Sequence, residues 1–329
     1  MIGLWDTTGN AVVKALAAER RSAGGVTSGL ALTLVAVVDE AQVREAEAAA
    51  TIAAATHPCR LLIVVRSDVV DQRSRLDAEV VVGGRLGPCE AVVMRMLGRL
   101  ALHAESVVMP LLAPDVPVVT WWQCAPPDVI ANDPLGVVAE RRITDCQQAP
   151  DPLTALRTRA TDYAPGDTDL AWTRLTPWRT LIAGVFDLPG TAARAITIEA
   201  APGDPSAHLL HGWFMAKLGL VPVFEDGLRG IGSVRMDLTD GSTVTVTRNN
   251  GSAVLRRSGL PERVVPLGVR PLGEELAEEL RRLDPDQSYA QALSAATGIG
   301  LADRPATRFH IWQDPGGAQR LDPANGQQR

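Results

Sequence analysis

Five histidines, four cysteines and two tyrosines are a thin supply of acid–base and thiol groups, and although carboxylates are plentiful, no spacing picks out a pair or organises a reaction. His208 and His211 stand at i and i+3 on a predicted helix, which puts both imidazoles on one side. A zinc site needs a third ligand, and no acidic residue lies between them as in HExxH, so a helix surface or a hydrogen-bonded pair is the expected reading. Cys59, Cys89, Cys124 and Cys146 form no CxxC and no His/Cys cluster. They read as reduced thiols, with redox sensing at Cys59 as a lesser alternative. Cys59 and Arg66 invite comparison with a cysteine phosphatase loop, but the spacing is too long and the segment reads as a buried strand. GxSxG and GxxxxGK[ST] are absent, and the pairs Gly230/Gly232 and Gly298/Gly300 lack the third glycine of a dinucleotide fingerprint. The expectation is a protein without catalysis, cofactor or metal.

Tryptophan and arginine carry the remaining chemistry, as they do at well-packed contacts between proteins. The segment from Asp167 to Asp187 holds Asp169, Trp172, Arg174, Trp178 and Arg179. Thr176 is placed to cap a helix with Pro177 in its first turn, and Trp178, Leu181, Ile182, Val185 and Phe186 recur on one face. In VVTWWQ the two-residue strand period sends Trp121 and Trp122 to opposite faces. Arg141 and Arg142 beside Asp145 suit either an internal salt-bridge cluster or a fork-shaped grip on a phosphate or carboxylate. All of these are candidates for partner binding or for a seam between two domains. Trp172, Arg174, Trp178 and Arg179 would be the anchors or the scaffold beneath them.

The elements that must position these residues divide the chain in two. A length of 329 residues allows two cores, and 46% apolar with 21% charged residues is ordinary for a globular protein. The net charge of −6 argues against a broad nucleic-acid surface. The N-terminus has no basic region followed by an apolar run, and the longest apolar run, Leu30 to Val38, is too short to span a bilayer. A cytoplasmic protein that binds neither membrane nor nucleic acid is therefore expected.

The first half alternates: a helix over Thr8 to Arg21, a turn at Gly24 and Gly25, a strand over Gly29 to Val38, a helix over 40–55 and a strand buried on both faces at Leu61 to Val65. Strands Ala78 to Val82 and Ala91 to Leu97 flank the turn GGRLGP, and a helix over Leu100 to Leu112 and a strand over Val116 to Trp122 follow. This predicts an α/β domain, a mixed sheet with helices, over 1–160. From 161 to 313 the pattern predicts an α+β domain. Its strands are Ala195 to Glu199, Val221 to Phe224, Ser233 to Leu238, Thr243 to Arg248 and Ala253 to Arg257. TDGS and RNNGS mark antiparallel hairpins, and helices fall at Pro205 to Leu218, Leu272 to Leu283 and Tyr289 to Ala296. The tail over 314–329 is polar and rich in Gly and Pro, and is expected to be disordered.

The strings DPLGVVAERRITD, DPLTALRTRA and YAPGDTDLAWTRLTPWR, in that order, resemble the OpcA family of glucose-6-phosphate dehydrogenase assembly proteins in its actinobacterial form. HPCRLLIVV, VVTWW and EELRRLDPDQSYAQAL fit the same family, so the resemblance runs from about residue 5 to 300. It leads one to expect serine where this chain has Cys59. It implies a non-catalytic partner that binds cytosolic glucose-6-phosphate dehydrogenase, favours its active oligomer and supports the oxidative pentose phosphate pathway. The alternative from the residues alone is a sugar-phosphate-binding protein or enzyme with an anion site at Arg141 and Arg142.

Overall fold

The computed structural model describes residues 2–22, 29–69, 71–83, 90–186 and 191–310. The turn at Gly24 and Gly25, most of GGRLGP and the tail over 314–329 lie outside them. The chain forms two compact units, one of Met1–Arg142 with Thr307–Arg329 and one of Ile143–Ala306.

The first unit is built on apolar runs rich in β-branched residues. β1 (Ile2–Leu4) and α1 (Gly9–Ser22) precede β2 (Leu32–Val38), which is buried along its whole length. α2 (Val43–Ala54) presents an alanine face to the sheet and leads to β3 (Cys59–Ser67). β4 (Arg75–Val82) and β5 (Glu90–Leu97) form the expected antiparallel pair. The strand order is β1-β4-β5-β3-β2, with β6 (Val118–Trp122) beside β2. β5, β3, β2 and β6 run parallel, with Leu61 opposite both Leu34 and Ala91. Helix-covered parallel strands have both faces in the core, which is why β2 and β3 read as continuous apolar runs.

The helix expected over Leu100 to Leu112 is broken. α3 (Arg99–Leu102) stops at His103, whose backbone (φ −115°, ψ 41°) leaves the helical region. After α4 (Glu105–Val108), Pro110 tightens the last turn to a 3-10 form over Met109–Leu111. α5 (Pro134–Val137) follows, capped by Asp133, and the chain passes into the second unit along β7 (Arg141–Thr144).

In the second unit α6 (Pro152–Thr161), β8 (Asp167–Asp169), α7 (Leu170–Thr173) and α8 (Thr176–Val185) precede a six-stranded sheet. β9 (Ala193–Ala200), α9 (Pro205–Leu218) and β10 (Val223–Asp226) make a parallel crossover at one edge. β11 (Ile231–Leu238), β12 (Thr243–Asn249), β13 (Ser252–Arg257) and β14 (Arg263–Pro266) extend it antiparallel in the order β10-β9-β11-β12-β13-β14. β14 has no counterpart among the strands expected from the sequence. Asn250 (φ 38°) and Gly251 (φ 83°) form the two-residue turn between β12 and β13, where both central residues must take positive φ.

α10 (Leu272–Leu280) and α11 (Gln287–Thr297) complete the unit. α9 packs directly on α11. At their closest approach a Cβ on Gly212 would stand 2.1 Å from the Ala292 carbonyl oxygen, so only glycine fits.

Candidate functional site

Trp172, Arg174, Trp178 and Arg179 come together on α7 and α8 because the chain turns there without an extended break. Leu175 stays helical, so Thr176 is the first residue of α8 and does not cap it; its hydroxyl accepts a bond from Arg179 Nη2 (3.1 Å). The cap in this segment is Asp169, at the start of α7, where its carboxylate accepts from the Ala171 amide (2.9 Å). Asp169 is fully buried and also accepts from Thr144 Oγ1 (2.7 Å) and the Cys146 amide (3.0 Å). Burial, with the nearby charge of Asp145 adding to it, holds this carboxyl above its usual range.

Arg174 is the centre of the network. Its Nη1 and Nη2 donate to the two oxygens of Asp145 (2.7 and 2.8 Å), and its Nε and Nη2 donate to those of Glu275 on α10 (2.9 and 2.8 Å). Burial pulls the guanidinium pKa down, but the bonds and charges of the two carboxylates outweigh it and the net shift is upward. Glu275 is pushed up by burial despite its bond to Arg174. Asp145 is therefore spoken for by Arg174 within this unit.

The tryptophans are structural. Trp172 and Trp178 are each 1% exposed. Trp172 donates from Nε1 to Asp286 (2.8 Å), the residue that caps α11, and its ring packs against Tyr289. The Arg179 guanidinium lies 3.6 Å above the Trp172 ring, a cation–π contact, and burial lowers its pKa. These four residues thus tie α7, α8, α10 and α11 into one block, and neither Trp172 nor Trp178 offers an exposed indole.

Beside this block lies a cavity of about 300 Å³, lined by Arg174, Trp178, Asp204, Ser206, Arg248, Arg270 and Glu275 among others. Sequence reasoning did not single out Asp204, Arg248 or Arg270 for it. Their separation along the chain hides the arrangement, and only the topology brings β12 and the start of α9 to Trp178.

In the first unit, Trp122 joins the core formed with Val12, Leu16 and Met94, and Trp121, on the other face of β6, is equally covered. Arg141 and Arg142 are buried too, and Arg142 donates to the Ala139 carbonyl. A second cavity of about 320 Å³ opens at the carboxyl ends of β2, β3 and β6 beside Arg66, Asp133 and Cys124. In open parallel sheets this is the usual position for a ligand crevice. Arg66 is held there by a two-bond fork to Asp133 (2.9 and 3.0 Å). Burial pushes the Cys124 thiol up to about 11 and the Cys146 thiol well above its usual value, so both stay protonated at neutral pH. Cys59 is fully buried in β3.

His211 stacks on Phe224 of β10 and His208 packs tilted against it, with ring centroids 5.1 and 4.9 Å away. No group of three or more His, Cys, Asp or Glu able to hold a metal occurs among the described residues. Burial lowers both imidazole pKa values. An unfolded imidazole takes up its proton near pH 6.5, so below that pH the unfolded chain binds more protons than the folded one and stability falls. The double variant His208→Gln, His211→Gln is expected to lose less melting temperature between pH 7.5 and 5.5 than the parent. Equal losses in a thermal-melt series would contradict this.

Residues 50–161 match the family described as glucose-6-phosphate dehydrogenase subunit N-terminal domain, and residues 165–293 the corresponding C-terminal domain. A curated relative, an OxPP cycle protein OpcA of Synechocystis sp., is 24% identical over 189 residues, covering 52% of this chain. The matched region spans 39% of that relative's length. No solved structure matches the chain.

Proposed function

Because this chain belongs to the OpcA family of glucose-6-phosphate dehydrogenase subunits, we propose that it is a non-catalytic subunit that docks on that dehydrogenase and favours its active form. The observation that carries this reading is the outer edge of the second sheet. Among the described residues β10 ends the sheet and pairs only with β9, so its other side is a free strand edge there. Val221, Val223 and Leu228 around it are 69%, 63% and 99% exposed, and Phe224 joins them at the surface. An apolar strip along a free strand edge is a docking surface for another chain.

The Trp172, Arg174, Trp178 and Arg179 block is assigned the supporting role: it holds the helices behind the sheet. Several of the groups suited to acid–base chemistry support the non-catalytic part, because the His208 and His211 rings pack on Phe224 with their pKa values lowered by burial, and Asp145, Asp169 and Glu275 are engaged in structural bonds. Activation requires tighter binding to the active oligomer than to the inactive one, and a difference of about 1–3 kcal/mol changes affinity or population several-fold or more. Light scattering after size exclusion tests the reading. The purified chain and the dehydrogenase, mixed at micromolar concentration, are expected to elute as one species of summed mass. Separate elution with unchanged dehydrogenase kinetics would overturn the proposal.

A further inference from the structure

Two residues that line the cavity beside Trp178 carry buried donors that the protein leaves without acceptors. Trp178 is 1% exposed, and its Nε1–H has no hydrogen-bond partner. Arg248, whose guanidinium lies 5.5 Å from the Trp178 ring, has a buried Nε–H in the same condition. Both residues line the cavity. A buried donor left unmade costs about 1–3 kcal/mol, so two around one space describe a place for acceptor atoms.

Charge narrows the ligand further. Arg174 is matched by Asp145 and Glu275, and Arg270 lies 3.8 Å from Glu278. Arg248 has no ion pair among the described residues, and Asp204 is the opposing charge that acts on it. The cavity also contains the carboxylates of Asp204 and Glu275, which offer acceptors to hydroxyl groups. Leu175, Pro177, Ile231 and Val269 supply apolar wall. A volume of about 300 Å³ is at the lower end of small-molecule sites.

We propose that this cavity binds a small hydroxylated acid, such as a sugar acid or sugar phosphate. Its anionic head would accept from Arg248 and Trp178, and its hydroxyls would donate to Asp204 and Glu275. One unpaired guanidinium suits a single negative charge best, so a carboxylate head is favoured over a phosphate dianion. The ligand would sit against α8, the start of α9 and β12, within the second unit.

Calorimetry on the full chain alone, without the dehydrogenase, separates this proposal from the partner reading, since either can fail while the other stands. The probes are gluconate, glucose 6-phosphate, glucose and inorganic phosphate. Saturable binding of gluconate or glucose 6-phosphate with Kd below about 1 mM is expected, with glucose and phosphate at least roughly tenfold weaker because each lacks half of the recognised groups. The relative affinity of the first two tells a carboxylate from a phosphate head. Arg248→Met is expected to weaken binding about tenfold or more, and Trp178→Phe, which keeps the ring and removes only the N–H, several-fold. Thermal melts confirm that each variant is folded. No saturation by either acid at about 10 mM, affinity equal to that for glucose, or full affinity in folded Trp178→Phe and Arg248→Met would each overturn the proposal.

Discussion

Replacing Arg174 by alanine is expected to destabilise the second unit by about 3–5 kcal/mol, because it strands buried carboxylates with no counter-charge. The Asp145 and Glu275 side chains are only 5% and 6% exposed, and Arg174 gives them four bonds. Asp169, itself fully buried, feels the charge of Asp145 and would add to the repulsion. At a few degrees per kcal/mol for a unit of this size, the melting temperature should fall by roughly 10 °C. Adding Asp145→Asn and Glu275→Gln to Arg174→Ala should recover a large part of the loss, since the unpaired charge and not the missing side chain carries most of the cost. An Arg174→Ala melt within about 2 °C of the parent would show that the network is incidental to stability.

The second large effect is on association. Val223→Glu with Leu228→Glu puts two charges on the exposed edge and alters no core contact, since both side chains face solvent. Stability should change by less than about 0.5 kcal/mol per site. Affinity for the dehydrogenase should fall about 100-fold or more, because desolvating unpaired carboxylates in an apolar interface is costly. Surface plasmon resonance or a fluorescence titration would read this directly. Unchanged affinity would move the docking surface away from β10.

Much of the architecture was legible in the residues, for reasons that can be named. α9 runs from Pro205 to Leu218 as expected, because Asp204 caps it and Pro205 is pre-set for the first turn. Asn250–Gly251 announced its hairpin, and the unbroken apolar run of β3 announced a strand covered on both faces. The Leu100 to Leu112 segment misled because its apolar spacing is helical while His103 and Pro110 break the backbone. Thr176 misled because a cap needs an extended residue, and Leu175 is helical. The division at Arg142 and Ile143 precedes the Pro-rich stretch that marks a boundary in composition, whereas the two family matches part between 161 and 165.

The network was only half legible. Arg174 and Asp145, 29 residues apart, both stood among the candidate residues without being paired, whereas Glu275 lies 101 residues from Arg174 and carries no local signal. Trp and Arg enrichment pointed to partner binding or a domain seam, yet the same residue types also build dense internal blocks, and Trp121, Trp122, Trp172 and Trp178 are all buried. Exposed Val223 and Leu228 raised no flag, because single apolar residues on strands and loops are common and only the sheet order makes β10 an edge.

Titrating a fixed concentration of glucose-6-phosphate dehydrogenase with the purified chain, and following kcat/KM, tests the central proposal most directly. A saturable rise of several-fold is expected for the parent, with no rise at the same concentrations for Val223→Glu, Leu228→Glu. A flat response to the parent at about 10 μM, ten times a typical micromolar Kd, would contradict the role assigned to this chain.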